Sequence, residues 1–381
     1  MILSPAQAAF RDKVRAFARE HLLPRAADDD RSGAFPVDTL RRLGREGLMA
    51  VYMPADLGGL GLDMVSLSLA VEEMAACDAS VAVVASLNNS LVCGPFYKYG
   101  TDALKKRWIP EIASGRAIGC FAIAEPQAGS DAAKLTLAAA KDGDDYVLNG
   151  IKWLITGGSN AEVTLVFALT DPAAGARGIS CFVVPADTPG YRVVRVDRKM
   201  GIRSSGTAEL AFENCRVPAS AMLGKPGEGY RIALDGLGTS RLGIAAQSIG
   251  IARAAFEAAR AHAKAREAFG SAIIEHQAIA FKLADMATGI EAARALTLHA
   301  ASLKDAGLPS QKEVAMAKLF ASEMVERVCS EAVQIHGGIG VLEGTLVERL
   351  YRDARVTQIY EGTSEVQRIV ISRMLAAEKT D

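Results

Sequence analysis

The sequence predicts a mainly α-helical protein with a central β domain, and two changes of hydrophobic period predict it. Apolar residues recur at helical spacing from Ser4 to about Ser114, and the period shortens to two between Phe121 and Val217. Helical spacing returns near Gly229 and persists to the end. The expected domains are 1–116 (helical), 117–226 (β) and 227–381 (helical).

In the first region, Ser4, Pro5 and Gln7 read as a capping box with proline at the first helical position. Phe10, Val14, Phe17 and His21 follow at helical spacing. "LSLAVEEMAACDASVAVVASLNNSLV" carries an apolar face broken by short polar insets. "DLGGLGLD", Asp56 to Asp63, lacks the spacing of a dinucleotide or nucleotide phosphate loop and reads as a plain loop. In the central region, "EVTLVFALTD", "GISCFVVPAD" and "TAELAFENCRVP" are strand patterns parted by Gly, Pro and Asp turns. With no long helix between them, they predict a compact antiparallel unit. Asn149-Gly150 in "NGIKWLITGG" is a hairpin signal, with Trp153 and Thr156 on the strand behind it. In the last region, Ser310 with Glu313 predicts a capped helix start, and Gly337-Gly338 predicts the end. Helices this apolar must bury more than one face, which a bundle packed against other subunits satisfies.

The chain has 381 residues, 50% of them hydrophobic, enough for a large core. Its 43 basic and 44 acidic residues give a net charge of -1, and no reason to expect nucleic acid or an anionic membrane as partner. No membrane-spanning run, signal peptide or membrane insertion is expected. The six cysteines and five histidines show no metal or redox spacing, so no metal is expected. Buried thiols in a soluble, cytoplasmic protein are the expectation.

Candidate chemistry centres on "QIYEGTSE", Gln358 to Glu365. A turn before a helix needs a glycine and a capping hydroxyl, so Glu361 is surplus to it. "AEPQAGSD", Ala124 to Asp131, offers a tight turn around Pro126 and Gly129 with the hydroxyl of Ser130. That turn is either a connection or a hold for a polar cofactor edge. Arg241, among small residues in "GTSRLGIAAQ", needs an anionic partner if buried, and otherwise is a solvated helix edge.

The segments "DKVRAFAREHL", "FAIAEPQAGSD", "KMGIRSSGTAELAFENCRVP", "AREAFGSAIIEHQAIAFKLADM", "AVQIHGGIG" and "YRDARVTQIYEGTSEVQR" together resemble the acyl-CoA dehydrogenase family, in its order and over essentially the whole chain. "NNSLVCGPFYKYG" and "IGCFAIAEP" are most similar to its short-chain (butyryl) members. The resemblance implies an N-terminal helical domain, a β-barrel-like middle domain and a C-terminal four-helix bundle, assembled as a homotetramer that binds FAD. It implies α,β-desaturation of a short-chain acyl-CoA to the trans-2-enoyl-CoA, with electrons passed to electron-transfer flavoprotein. Glu361 matches the general base, and Gly362 lets the backbone approach the thioester. Phe121, Ile123, Ala124, Ser130, Leu154, Ile155 and Thr156 match positions along the flavin. Arg266, Phe269 and Gln277 match the adenine-diphosphate half. Gln334, Gly337 and Gly338 match contacts from the neighbouring subunit, and Thr363 and Glu365 also face FAD. Ser130 and Arg241 match positions near acyl-CoA. Three departures stand out: Leu154 replaces a frequent aromatic, Gly238 a frequent acid, and Ala82 the cation of glutaryl-CoA members. Ser240 stands where some branched-chain members carry their base. Medium- or branched-chain activity, an oxygen-using oxidase or monooxygenase, and a flavin-free scaffold remain open alternatives.

Overall fold

The computed structural model describes residues 2–378. Helices α1 (Pro5–His21), α2 (Ala26–Ser32), α3 (Val37–Arg45), α4 (Met64–Ala75) and α5 (Ala79–Leu87) open the chain. The Ser4 capping box forms as expected: Ser4 Oγ accepts from the Gln7 N–H at 3.2 Å, and Gln7 Oε1 accepts from the Ser4 N–H at 3.0 Å. "DLGGLGLD" is mostly loop, and its last residue, Asp63, caps α4 by accepting from the Ser66 N–H at 2.7 Å. Both α4 and α5 are buried all round, as their composition requires.

A π-helical segment, Asn88–Cys93, joins α5 to α6 (Gly94–Tyr99), and α7 (Asp102–Ala113) follows. Here one expectation is corrected. The continuous run Ala79–Tyr99 is long and apolar enough to cross a membrane, but 94% of its most apolar stretch is buried inside the fold. Its buried amides are satisfied by the chain itself. Asn88 Oδ1 accepts from the Gly119 N–H at 2.8 Å, and Asn89 Oδ1 accepts from the Val51 N–H at 2.6 Å. The polar insets in the apolar run therefore fasten the helix to the strand and loop beside it.

The middle region holds β1 (Gly119–Ala122), β2 (Ala138–Asp142), β3 (Asp145–Ile155), β4 (Val163–Leu169), β5 (Ile179–Pro185), β6 (Tyr191–Val196), β7 (Ala208–Pro218) and β8 (Met222–Leu223). They form one sheet in the order β6-β7-β3-β2-β4-β5-β8, with β1 also paired to β4. The expected purely antiparallel unit is corrected to a mixed sheet: β1 and β2 both run parallel to β4. Alternation of apolar residues is the same for either direction, so the sequence pattern holds no sign of it. The hairpin signal is also corrected. The β2–β3 turn lies at Gly143 (φ 61), between the paired residues Asp142 and Asp145. Asn149-Gly150 instead sits within β3, at a shift of register against β7. Gly150 is needed there by contact, since a Cβ would lie 2.9 Å from Leu137 Cα. Asn149 Oδ1 accepts from the Asn214 N–H at 2.8 Å, the bond that closes the irregularity.

Three long helices follow: α8 (Gly229–Ala265), α9 (Gln277–Asp305) and α10 (Gln311–His336). The short strands β9 (Glu267–Ala268) and β10 (Ser271–Ala272) separate α8 from α9; α11 (Leu346–Arg355) and α12 (Ser364–Ala377) end the described chain. Ser310 occupies the position before α10, but its side chain makes no capping bond among the described residues. Its backbone (φ -139, ψ 5) is outside the extended conformation that aims a side chain at the first turn. Gly337 (φ 62) does end α10. One hydrophobic core runs through α1, α4, α5, α8, α9 and α10, so the two helical regions share an interior. Buried carboxylates brace it. Glu73 accepts from Arg15 Nη2 at 2.8 Å and Arg253 Nη2 at 2.6 Å, and Glu72 from Arg294 Nη2 at 2.8 Å.

Candidate active site

Three elements meet around the turn between α11 and α12. From α8 come the buried side chains Ser240 and Arg241, and from α10 the fully buried Lys318. The turn itself carries the half-buried Glu361. Thr363 caps α12, its hydroxyl accepting from the Val366 N–H at 3.3 Å. Glu361 has φ 56 and Gly362 has φ 88. That φ favours glycine at 362, and a side chain there would also displace the Gln367 amide, whose Nε2 would lie 2.8 Å away. The left-handed glutamate costs about 1–2 kcal/mol, strain that persists only where the surroundings over-determine it.

They do so here. The Gly362 carbonyl accepts from Lys318 Nζ at 2.7 Å and from Gln367 Nε2 at 2.8 Å. The Glu361 carbonyl accepts from Arg241 Nε at 3.3 Å. The Tyr360 hydroxyl donates to Gln247 Oε1 on α8. The Glu361 carboxylate itself accepts from Ser240 Oγ at 2.5 Å. Arg241 thus finds its partner, but its hydrogen bond goes to the backbone of the glutamate, and only the field of its charge reaches the carboxylate. Burial pushes the Glu361 carboxyl above the ordinary carboxylate range; Ser240, Arg241 and Lys318 pull it part of the way back. Burial pushes the Lys318 ammonium down to about 8, against the attraction of Glu361. The site holds a base raised by burial, with two cations whose charge reaches it.

A second part of the site adjoins along α8. A Cβ at Gly236 would sit 4.0 Å from the Phe121 ring, one helical turn before Ser240 on the same face. Phe121 packs on Phe167 with ring centres 4.6 Å apart. The segment after it is fastened to β3: the Ala124 carbonyl accepts from the Trp153 N–H at 2.9 Å, and the Ile123 carbonyl from Lys152 Nζ at 3.1 Å. Lys152 also pairs with Glu125 at 2.8 Å, both buried. Burial alone raises the Glu125 carboxyl, but Lys152 and the N–H groups of Leu137 and Thr136 bring it below the ordinary range. Glu125 and Ala128 exchange backbone bonds around Pro126, the tight turn expected, and Ser130 beyond it is exposed. Ile155 points inward; Leu154 has φ 58 and is 54% exposed. Thr156 lies in the turn just past β3, half-buried, and not on the strand as expected. Trp153 does not stand in for the aromatic missing at 154, because its indole N–H is committed to Asp197 Oδ2 at 3.0 Å.

The remaining predicted residues form a separate group at the far end of α8. Arg266 ends that helix, Phe269 follows with φ 53 and 99% exposure, and Gln277 begins α9. Gln334, Gly337 and Gly338 lie exposed at the end of α10. Stacked rings of His262 and His336, 4.4 Å between centres, hold the two helix ends together. From Ser240 to Arg266 the helix advances roughly 39 Å at about 1.5 Å per residue. The structure therefore divides the predicted residues into two distant sets. Glu365 is exposed on the first turn of α12, close to the first set in sequence.

Sequence reading missed Lys318, Gln247, Gln367 and the Glu125–Lys152 pair. Lys318 had a signal: it stands on the buried stripe of α10 with Val314, Ala321 and Val325. The other departures are simple in structure. Ala82 is fully buried on α5 and supplies no charge. At Gly238 a Cβ would meet nothing within 4 Å among the described residues, so a larger residue there would have room.

Comparison with known proteins agrees with this architecture. The acyl-CoA dehydrogenase family models match in three parts: the N-terminal domain over residues 4–116, the middle domain over 120–215 and the C-terminal domain over 227–376. The short-chain specific acyl-CoA dehydrogenase of Mus musculus mitochondria is 47% identical over 362 residues, 95% of this chain and 88% of that protein. The butyryl-CoA dehydrogenase structure from Megasphaera elsdenii superposes with a TM-score of 0.97 at 40% identity, covering 99% of each chain. A chain from the electron transferring flavoprotein structure of Acidaminococcus fermentans superposes with a TM-score of 0.98 at 42% identity, covering 99% of this chain and 100% of that one.

Proposed function

The chain belongs to the acyl-CoA dehydrogenase family, and from that premise we propose that it desaturates short-chain acyl-CoA thioesters between Cα and Cβ, with FAD as cofactor. It is an oxidoreductase. The observation that carries the reading is the Glu361 carboxylate, raised by burial, hydrogen-bonded by Ser240 and lying in the field of Arg241 and Lys318.

The residues present fit FAD. Phe269 and Leu154 are apolar side chains exposed on strained backbone, and each needs an apolar partner from outside its own fold. Arg266 beside Phe269 suits a pyrophosphate. Ser364 Oγ and Gln367 Oε1 next to the catalytic turn are buried without a partner among the described residues. Leu154, Ile155 and Thr156 with Phe121, Ile123, Ala124 and Ser130 would hold the flavin end; Arg266, Phe269 and Gln277 would hold the adenine end. When bound, FAD supplies the acceptor for the hydride that leaves Cβ.

The chain does the rest. Glu361 takes the α-proton. Burial raises its basicity toward the weak C–H acid, as a general base requires. The Glu361 N–H makes no backbone hydrogen bond among the described residues, which leaves it free for the thioester oxygen. A donor there stabilises the charge that develops on that oxygen. Rigid support of Gly362 by Lys318 and Gln367 keeps the donor in place.

Short, uncharged chains are the proposed substrates, supported by the short-chain and butyryl-CoA relatives and by Ala82, which offers no counter-charge to a dicarboxylic acyl group. Electron-transfer flavoprotein is the proposed acceptor, supported by the Acidaminococcus likeness. A homotetramer is proposed because the two sets of cofactor residues lie too far apart on one chain to reach one dinucleotide; neighbouring subunits then complete each site, with Gln334, Gly337 and Gly338 contributing across the interface. The domains are proposed to run 1–116, 117–226 and 227–381, in a cytoplasmic protein without membrane insertion. Flavin bleaching across a panel of acyl-CoAs tests the substrate class. Butyryl-CoA should give the highest kcat/KM, and a higher value for glutaryl-CoA or a long-chain thioester would overturn it.

A further inference from the structure

We propose that Ser240 is a positioning residue for the base: by donating to Oε2 of Glu361, it fixes the carboxyl plane and leaves Oε1 as the atom that receives the α-proton. The inference deepens the function proposed above and rests on it.

The geometry is specific. Ser240 is 2% exposed on α8, and its Oγ lies 2.5 Å from Glu361 Oε2. A hydroxyl has one proton to give. Its alternative acceptor, the Leu237 carbonyl, is 3.3 Å away, so the ionised carboxylate holds the better claim. Oxygen-to-carboxylate separations this short belong to the stronger, charge-assisted class. Among the described residues, Ser240 is the only side chain that hydrogen-bonds the carboxylate oxygens. The other groups facing Glu361 are Arg241 on α8, Lys318 on α10 and Tyr360 on its own turn. Arg241 and Lys318 bind backbone carbonyls and Tyr360 binds Gln247, so they act on the carboxylate through charge and burial and leave its orientation to Ser240.

Two effects follow. The donated bond favours the ionised form, so the base is ready at a lower pH than burial alone would set. It also aims one oxygen. Proton transfer then breaks the Cα–H bond and forms Oε1–H, while Ser240 continues to donate to Oε2, so no group has to turn during the step. Glycine or alanine at 240 would leave the carboxyl free to rotate about its last bond.

The test uses the FAD-loaded enzyme and two variants. Ser240→Ala removes the donor and keeps a strong helix former; Ser240→Thr keeps a hydroxyl. Infrared titration of the Glu361 carboxyl in substrate-free protein, assigned by its loss in Glu361→Gln, reads protonation directly. The pH profile of flavin reduction by butyryl-CoA reads it in the reaction. Ser240→Ala should shift both upward by about one pH unit or more, since a hydrogen bond to a charged group is worth about that much. Ser240→Thr should restore them, with FAD content and butyryl-CoA affinity unchanged throughout. Unmoved titration and profile in a correctly loaded Ser240→Ala enzyme overturn the proposal. Full flavin reduction in Glu361→Gln is a different outcome: it removes the base itself and overturns the function beneath the inference.

Discussion

Lys318 is the residue at which the site and the stability of the fold meet. Its ammonium is buried and donates to the Gly362 carbonyl, which Gln367 also serves. Burial lowers its pKa from 10.5 to about 8, so the folded chain binds this proton less tightly than the unfolded chain does. The unfolded state then carries more protons between about pH 8 and 10.5, and stability rises with pH across that window. Below about pH 8 the full cost of burying the charge is present. Comparison with Lys318→Met, by denaturant midpoint against pH, isolates the contribution. Wild type should gain on the variant from about pH 8 upward, and a constant difference would contradict the account. Glu361 was legible in the sequence because a turn has no use for a carboxylate. Its left-handed backbone was not, since a glutamate gives no warning of positive φ. Lys318 reads as an ordinary helix residue until it is placed on the apolar stripe beside Val314 and Ala321.

At the level of elements, the loop after β1 is held against β3 by charge. Glu125 accepts from Lys152 Nζ and the Leu137 N–H at 2.9 Å in the interior, and from the Thr136 N–H at 2.7 Å nearer the surface. Replacing Lys152 by Met leaves that carboxylate buried without its cation. Breaking a buried pair on one side costs about 3–5 kcal/mol, so Lys152→Met should show a loss of that size in urea. A loss under about 1 kcal/mol would mean the backbone donors alone suffice. Helix existence, strand existence and the end of α10 at Gly337 were all legible, because period and glycine act locally. Three features were not. Strand direction leaves no trace in alternation. Asn149-Gly150 carries the composition of a hairpin turn, but it meets Leu137 and Asn214 and becomes an irregularity within β3. The π segment Asn88–Cys93 depends on what its asparagines bind, the Val51 and Gly119 N–H groups, which are distant in sequence.

For the whole molecule, α8 sets the scale. It carries Ser240 and Arg241 at one site and ends in Arg266 at another, and that separation is what the proposal of a cofactor shared between subunits rests on. Exposed Phe269, Ile339, Val341 and Leu342 near the second group are apolar surface for such an assembly to cover. Subunits separated by interface mutation, and verified as monomers by sedimentation, should lose FAD. A monomer that keeps its full flavin content would contradict a shared site. The motif order in the sequence implied this arrangement only through resemblance, since no spacing along one chain reveals which residues face a neighbour.

The most direct measurement of the central claim is flavin reduction by butyryl-CoA in Glu361→Gln, followed by stopped flow. Glutamine keeps the size of the side chain and the turn, and removes only its basicity. A general base commonly contributes about 100- to 10,000-fold, and a thioester α-proton is a weak acid. The variant should bind FAD and butyryl-CoA as wild type does and reduce its flavin at least about 10,000-fold more slowly. Reduction within a few-fold of wild type would show that Glu361 serves only the turn.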